Sequence, residues 1–257
     1  MSEIKVSINL ITYNRADFIV QAMDSILLQT FSDWELIIID DASTDNTKEL
    51  VDSYLLKDSR IKYVKQENRC GISRSRNAAL KLSVGKYIAV LDSDDVWSDS
   101  NKLKKQVEFL DNNSDYCLVG CGVEVINKQG DRLKKYCNPG EDEEIRKTIL
   151  IKNPFAHSSV AYRKQTIDQL IGYDESLKIG EDYDLWLRMG KVGKMANLNN
   201  IFIFYRKHTA NISVLDRNIA LQNNFDIISK YKEDYPNYFL AYWKRKIRKI
   251  IYSLIKP

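Results

Sequence analysis

The stretch VLDSDDVW, residues 90–97, places Asp92, Asp94 and Asp95 within four positions, directly behind an apolar run. Carboxylates this close disfavour one another's charge unless a cation neutralises them. Clustered carboxylate oxygens suit hard divalent ions, Mg2+ or Mn2+, and such ions are commonly shared with substrate phosphates. The competing reading is a solvated acidic loop with one aspartate capping the next helix, and a D-x-D alone favours it. Two further polar clusters bear on the choice. Thr12-Tyr13-Asn14-Arg15 and Asp40-Asp41 also follow short apolar runs.

The elements that must position these clusters follow from periodicity. Residues 6–12 (VSINLIT), 34–40 (WELIIID) and 86–92 (KYIAVLD) read as buried strands, and 61–66 alternates like a strand nearer an edge. Helical patterns occupy 16–29, 43–55 and 71–83 between them, the second opening on capping residues. Strictly alternating strands and helices imply parallel pairing with right-handed crossovers. Ligands of such sheets bind beyond the carboxyl ends of the strands. All three polar clusters fall there, so chain order alone gathers them around one crevice. The second half is less regular. It reads as helices at 100–112, 141–151, 181–192 and 216–231, a hairpin from 116–127 and 132–137, and strands at 158–164 and 200–208.

The chain of 257 residues, 44% apolar and 29% charged, fits a soluble protein of one large α/β domain, or of one domain plus a small appendage. A net charge of +4 is too small to imply nucleic-acid binding. Cys70, Cys117, Cys121 and Cys137 show no CxxC pairing, which points to reduced thiols in the cytoplasm. A Cys117–Cys121 bridge is the alternative in an oxidising compartment. The N-terminus does not read as a signal peptide, and no window reaches ~18 uninterrupted apolar residues.

Five segments, SINLITYNR, SILLQTFSDWELIIIDDASTDNT, NRCGISRSRNAAL, GKYIAVLDSDDVW and GEDYDLWLRM, stand in that order. Together they resemble the inverting glycosyltransferases of family 2, and among them the members that build bacterial surface polysaccharides. The resemblance covers roughly residues 4–213. It implies the α/β GT-A fold: a mostly parallel central sheet flanked by helices, a small antiparallel element and a C-terminal helical tail. It also implies a domain at 1–215, with a nucleotide-binding half at about 1–98 and an acceptor-binding half at about 99–215. Residues 216–257 would form the helical tail.

The same resemblance assigns roles. Thr12, Tyr13, Asn14 and Arg15 would cradle a nucleotide-diphosphate sugar, with Asp40 on the base, usually uracil, and Arg76, Asp92 and Ser93 nearby. Asp94, with Asp92, would ligate the Mn2+ or Mg2+ joining the two phosphates, while Asp95 supports the loop. Asp182 matches the catalytic base, with Glu181 beside it. The chemistry agrees, since inverting transfer needs one carboxylate to accept a proton and one cation to assist the departing diphosphate. Ala42 stands where the family often has Gly, Ser75 where Ala is common, and the Pro that often follows the aromatic is missing after Trp97. None of these removes a needed chemical group.

His208 is a candidate further ligand of the metal or diphosphate, and His157 a candidate on the acceptor side. Each is weighed against an ordinary structural histidine. Trp97 and Trp186 are candidates to stack on acceptor sugars, weighed against core packing. The tail 239–257 puts Phe239, Trp243, Ile247, Ile250, Ile251 and Leu254 on one helical face, with Lys244, Arg245, Lys246, Arg248 and Lys249 and no acid. A basic amphipathic helix with Trp suits an anionic membrane interface. Its alternative occupants are the chain's own domain or a second copy in a homodimer.

The expectation is therefore a cytoplasmic enzyme, peripheral on the inner face of the membrane. It would move sugar from a UDP-linked donor to a polyprenyl-diphosphate-linked saccharide in O-antigen or capsule assembly. The alternatives are a catalytically silent sugar-nucleotide-binding protein and a receiver-like phosphoacceptor domain. The second is disfavoured because the acidic pair follows the second strand rather than the first.

Overall fold

The computed structural model describes residues 4–211 and 217–255. β1 (Val6–Thr12), β2 (Trp34–Asp40), β3 (Ile61–Lys65) and β4 (Tyr87–Val90) pair in parallel in the order β3-β2-β1-β4. α1 (Ile19–Leu27), α2 (Thr47–Leu55) and α3 (Ile72–Leu82) are the crossovers. β1 and β2 are buried along nearly their whole length, and so read as continuous apolar runs rather than alternating ones. Register sets Thr12 beside Asp40 and Asn9 beside Val90, which aligns the carboxyl ends at one edge.

The second half adds β5 (Val96–Trp97), α4 (Lys102–Asn112), β6 (Tyr116–Ile126), β7 (Arg132–Tyr136) and α5 (Asp142–Thr148). A 3-10 turn at His157–Ser159, β8 (Ala161–Arg163), α6 (Lys164–Gln169), α7 (Glu181–Gly190) and β9 (Lys194–Arg206) follow. The sheet continues from β4 through β8, β6 and β9 to β5, with β7 on β6. β6 and β9 are parallel, whereas β8 pairs antiparallel with β4 and β6, β7 with β6, and β5 with β9. The antiparallel element thus exceeds the single hairpin expected. The expected strand 158–164 shrinks to three residues because serine hydroxyls hold its start in a turn: Ser159 Oγ donates to Ala156 O at 2.6 Å.

One core packs α1, α2 and α4 against the sheet through Ile8, Leu10, Met23, Leu36 and Leu103. The other gathers Ile88, Tyr162, Leu185, Trp186 and Met189 with Ile145 and Ile149. α8 (Arg217–Lys230) and α9 (Tyr238–Ile255) join this second core through Ile227, Ile228 and Ala241. The C-terminal segment is therefore built onto the domain through the start of α9, through Arg245, which reaches the Tyr183 hydroxyl, and through Lys249, which donates to Gln222 Oε1 on α8. The four cysteines are free thiols, and burial pushes Cys117 and Cys121 up to about 12.

Candidate active site

A cavity of about 650 Å³ opens at the carboxyl ends of the parallel strands, a volume usual for small-molecule sites. Its first wall starts where β1 ends. Thr12 is buried, and its Oγ1 has no hydrogen-bond partner among the described residues. Asn14 adopts φ +50°, which an asparagine tolerates. Its backbone N–H donates to Ser43 Oγ at 2.9 Å, while its Oδ1 accepts the Thr44 N–H at 2.8 Å. Arg15 is tied by its N–H to Thr47 Oγ1 and by Nη2 to Ala210 O. Tyr13 carries the Arg69 guanidinium 4.1 Å from its ring centre.

The acidic pair after β2 divides. Asp40 is fully buried, accepting the Ser43 N–H at 2.7 Å and the Tyr63 hydroxyl, and it does not line the cavity. Asp41 does, and it accepts the N–H groups of Cys70 and Gly71. The structure thus places Asp41, not Asp40, on the cavity wall. Ala42 between Asp41 and Ser43 takes φ +66°, the left-handed conformation for which Gly is the ordinary residue. The Ala42 departure therefore carries a local strain.

The D-x-D loop is fixed from several sides. Arg76, buried on α3, donates from Nη2 to Asp92 Oδ1 at 3.2 Å and reaches Glu181 Oε1 from Nη1 at 3.3 Å. His157 Nδ1 meets the same Asp92 oxygen at 3.1 Å, and its Nε2 meets the Tyr173 hydroxyl at 3.0 Å. Because a carboxylate only accepts, we assign the Nδ1–H tautomer, with Tyr173 donating to Nε2. Burial, then the Arg76 charge, lowers the basicity of His157. Burial opposes charge on Asp92, yet His157 and Arg76 overcome it and hold the carboxyl well below the usual range.

Asp94 Oδ2 meets His208 Nε2 at 3.0 Å and Arg15 Nε at 3.5 Å. Asp95 is buried, accepting the Arg206 N–H at 2.8 Å and the Ser158 hydroxyl, which in turn accepts the Asp92 N–H. Burial, then Asp94 and Asp92, push Asp95 well above the usual range. It supports the loop.

Asp92 Oδ2 and Asp94 Oδ1 meet no protein donor among the described residues. Both side chains line the cavity, as does Ser93. Among the described residues no three His, Cys, Asp or Glu side chains form a metal-holding group. Two hard carboxylate donors with open oxygens nevertheless fit an ion that takes its remaining ligands from phosphates and water.

The opposite wall comes from the start of α7 and the loop before the 3-10 turn. Gly180, at φ +87°, turns the chain into α7, and Glu181 and Asp182 occupy its first turn. Glu181 is buried against Arg76, and burial pushes its carboxyl up to about 7. Asp182 is more open, and its Oδ2 accepts from Asn153 Nδ2 at 3.2 Å. Tyr136, Asn138 and Lys152 complete this side.

The structure fixes the places of all four aromatic and histidine candidates. Trp97 is 4% exposed in β5, donating Nε1–H to Ser158 O at 3.1 Å beneath the buried Lys102. Trp186 is fully buried among Phe155, His157 and Tyr162. Neither lines the cavity, so both are core residues: one braces the turn carrying His157, the other packs beneath it. His208 stacks on Phe18 at 5.0 Å with its Nε2 engaged by Asp94, and it sits behind that carboxylate rather than facing the cavity. His157 does line the cavity, but against Asp92 on the first wall.

Asn153, Tyr173 and Ser158 carried no signal in the sequence. Each acts across long separations, as in the 29-residue gap between Asn153 and Asp182. Asp41 and Arg69 lay inside segments already singled out.

Parallel strands with polar clusters at their carboxyl ends, extended by an antiparallel portion, make the mixed α/β architecture of the GT-A fold. The mannosyltransferase PcManGT of Pyrobaculum calidifontis, solved with GDP-Man and Mn2+, has the same fold. It superposes with a TM-score of 0.69 at 16% identity, over 98% of this chain and 76% of its own. Residues 7–171 match the family described as Glycosyl transferase family 2, and the chain belongs to that family. It is 33% identical to an uncharacterized glycosyltransferase of Methanocaldococcus jannaschii, over 71% of this chain but only 63% of that protein's length. It is 31% identical to the UDP-Glc:alpha-D-GlcNAc-diphosphoundecaprenol beta-1,3-glucosyltransferase WfgD of Escherichia coli, over 91% of this chain and 89% of that one. The family leaves no place for the receiver-like alternative.

Proposed function

We propose that this chain transfers a sugar, with inversion, from a UDP-linked donor to a hydroxyl of a saccharide carried on a polyprenyl diphosphate, in O-antigen or capsule assembly. One observation carries the reading: Asp92 and Asp94 face Glu181 and Asp182 across a single cavity, with Arg76 joining the two walls. The substrates named for WfgD support the donor and acceptor classes.

Thr12, Asn14, Arg15 and Asp41 would receive the nucleotide, with the Thr12 Oγ1, which has no partner among the described residues, free to bond it. Asp92 and Asp94 would hold Mn2+ or Mg2+, in line with the Mn2+ in the Pyrobaculum enzyme. When bound, such an ion neutralises charge developing on the departing diphosphate. Asp182, open to the cavity and oriented by Asn153, takes the acceptor hydroxyl's proton. Glu181 stays paired with Arg76 and positions the base.

No described helix is long and apolar enough to cross a membrane. On α9, Phe239, Trp243, Ile247 and Ile251 are all at least half exposed. Lys244, Lys246, Arg248 and Lys249 add positive charge to the same helix, while Arg245 turns inward to the Tyr183 hydroxyl. Leu254 lies outside the residues whose side chains are described. An anionic bilayer surface complements this face.

A screen of nucleotide sugars for thermal protection tests the donor reading. Saturation at ~100 times Kd stabilises by about 2.7 kcal/mol, which is several degrees for a chain of this size. A UDP-sugar should protect, and more so with Mn2+. No protection by any nucleotide sugar would refute the enzyme reading. Protection with intact Asp182 yet no transfer to any acceptor would favour the silent binding protein. For the tail, deletion of residues 239–257 should abolish flotation with anionic vesicles. Unchanged flotation sinks the membrane reading, and a loss of self-association instead would assign the face to a homodimer.

A further inference from the structure

Asp92 reaches the cavity at the end of a chain of buried polar groups. Tyr162 Oη lies 3.2 Å from Tyr173 Oη, and Tyr173 Oη lies 3.0 Å from His157 Nε2. His157 Nδ1 then meets Asp92 Oδ1 at 3.1 Å. Tyr162, Tyr173 and His157 are 0%, 4% and 7% exposed. Chemistry gives the chain one direction. A carboxylate only accepts, so Nδ1 carries the hydrogen. His157, its basicity lowered by burial and then by the Arg76 charge, is neutral and accepts at Nε2. Tyr173 has one proton and donates it there, which leaves Tyr162 to donate to Tyr173.

The far end of the chain is anchored. Tyr162 stands in β8 between Ile88 of β4 and Leu118 of β6. Tyr173 is held by its backbone, since Asn77 Nδ2 donates to its carbonyl at 2.9 Å and Asn77 Oδ1 accepts its N–H at 2.8 Å. At the near end, His157 and Arg76 both donate to Asp92 Oδ1 and leave Oδ2 open. The bond at one imidazole nitrogen sets which nitrogen holds the proton. With the proton on Nε2 instead, the Nδ1 lone pair would face a carboxylate oxygen across 3.1 Å. The carboxylate would then turn away.

We propose that Tyr173, backed by Tyr162, is a positioning residue for Asp92. Its hydroxyl fixes the His157 proton on Nδ1 and so presents Asp92 Oδ2 to the cation and diphosphate of the donor. The inference rests on the transferase reading for what Oδ2 receives.

The test uses Tyr173→Phe, which keeps the ring centred 5.5 Å from the Arg76 guanidinium and removes only the hydroxyl. The chain has two histidines, so the His157 ring nitrogens can be followed by long-range proton–nitrogen correlation spectra. Wild type without ligand should show a protonated Nδ1 and a bare Nε2. Tyr173→Phe should move the proton to Nε2. Calorimetric titration of UDP in Mn2+ should then find Tyr173→Phe at least ~tenfold weaker than wild type, about 1.4 kcal/mol. Tyr162→Phe, one step further from the carboxylate, should weaken binding less.

A tyrosine that only fills space would lower stability and leave the tautomer in place. An unchanged Nδ1–H tautomer in Tyr173→Phe therefore overturns the proposal, as does a shifted tautomer with unaltered UDP affinity. The tautomer is read without ligand. A wild type that binds no UDP would thus fail the transferase reading, while the proton on His157 still decides for or against the chain.

Discussion

The two walls of the cavity are built in different ways. The wall from β1 to β4 uses residues at strand ends, each set within a few positions of an apolar run and tied by contacts to neighbouring turns, as Asn14 is to Ser43 and Thr44. The wall around Asp182 is assembled from distant pieces: Asn153 reaches it from before the 3-10 turn, and Tyr136 and Asn138 from the β7 region. Arg76 spans the two, bonded to Asp92 on one side and Glu181 on the other. Under the proposed function the strand-end wall would take the nucleotide diphosphate and the loop-built wall the acceptor. Loops on a rigid scaffold tolerate substitution more readily than the strand ends they border.

The contrast can be broken at Asp182 first. Asp182→Asn should lower transfer by ~10²- to 10⁴-fold, the usual range for a lost general base, with the folded state unchanged in denaturant unfolding. Activity within a few-fold of wild type would assign the base elsewhere.

Arg76→Gln attacks the joint between the walls. It leaves the buried Glu181 and the part-exposed Asp92 without their shared cation, and should cost about 3–5 kcal/mol in urea unfolding. A loss below about 1 kcal/mol would show that the walls do not depend on the shared guanidinium.

Glu181 gives the pH test. Its folded value of about 7 lies above the ordinary 4.5, so the folded state holds a proton that the unfolded state releases. Stability is then lost as pH rises from about 4.5 toward 7. Glu181→Gln removes that slope. Thermal unfolding without ligand should show the variant gaining on wild type across this window by up to about 3 kcal/mol. A difference independent of pH would contradict the burial of an ionisable Glu181.

The smallest effect belongs to Trp97→Phe. Losing the indole donor to Ser158 O should cost about 1 kcal/mol and leave the acceptor KM unchanged. A raised acceptor KM with unaltered stability would restore Trp97 to a sugar-stacking role.

The same difference between walls explains what the sequence made legible. Four parallel strands, their crossovers and the three polar clusters could be read because local period and chain order determine them. Which member of Asp40-Asp41 faces the cavity could not, since it depends on how the turn packs against Tyr63 and Ser43. Trp186 misled because α7 is buried on most sides, with Leu185, Leu187 and Met189 also inside, so no exposed face marks its role. Trp97 misled because β5 is only two residues long and gains its partner, β9, from more than a hundred residues away. The Asn153–Asp182 contact joins segments with no local pattern in common.

The division between walls is tested most directly by calorimetric titration of the most protective nucleotide sugar, in Mn2+, into wild type, Asp94→Ala and Asp182→Asn. Asp182→Asn should bind the donor as wild type does, and Asp94→Ala should bind it at least ~tenfold more weakly, about 1.4 kcal/mol. Equal weakening in both variants, or in neither, would contradict the division.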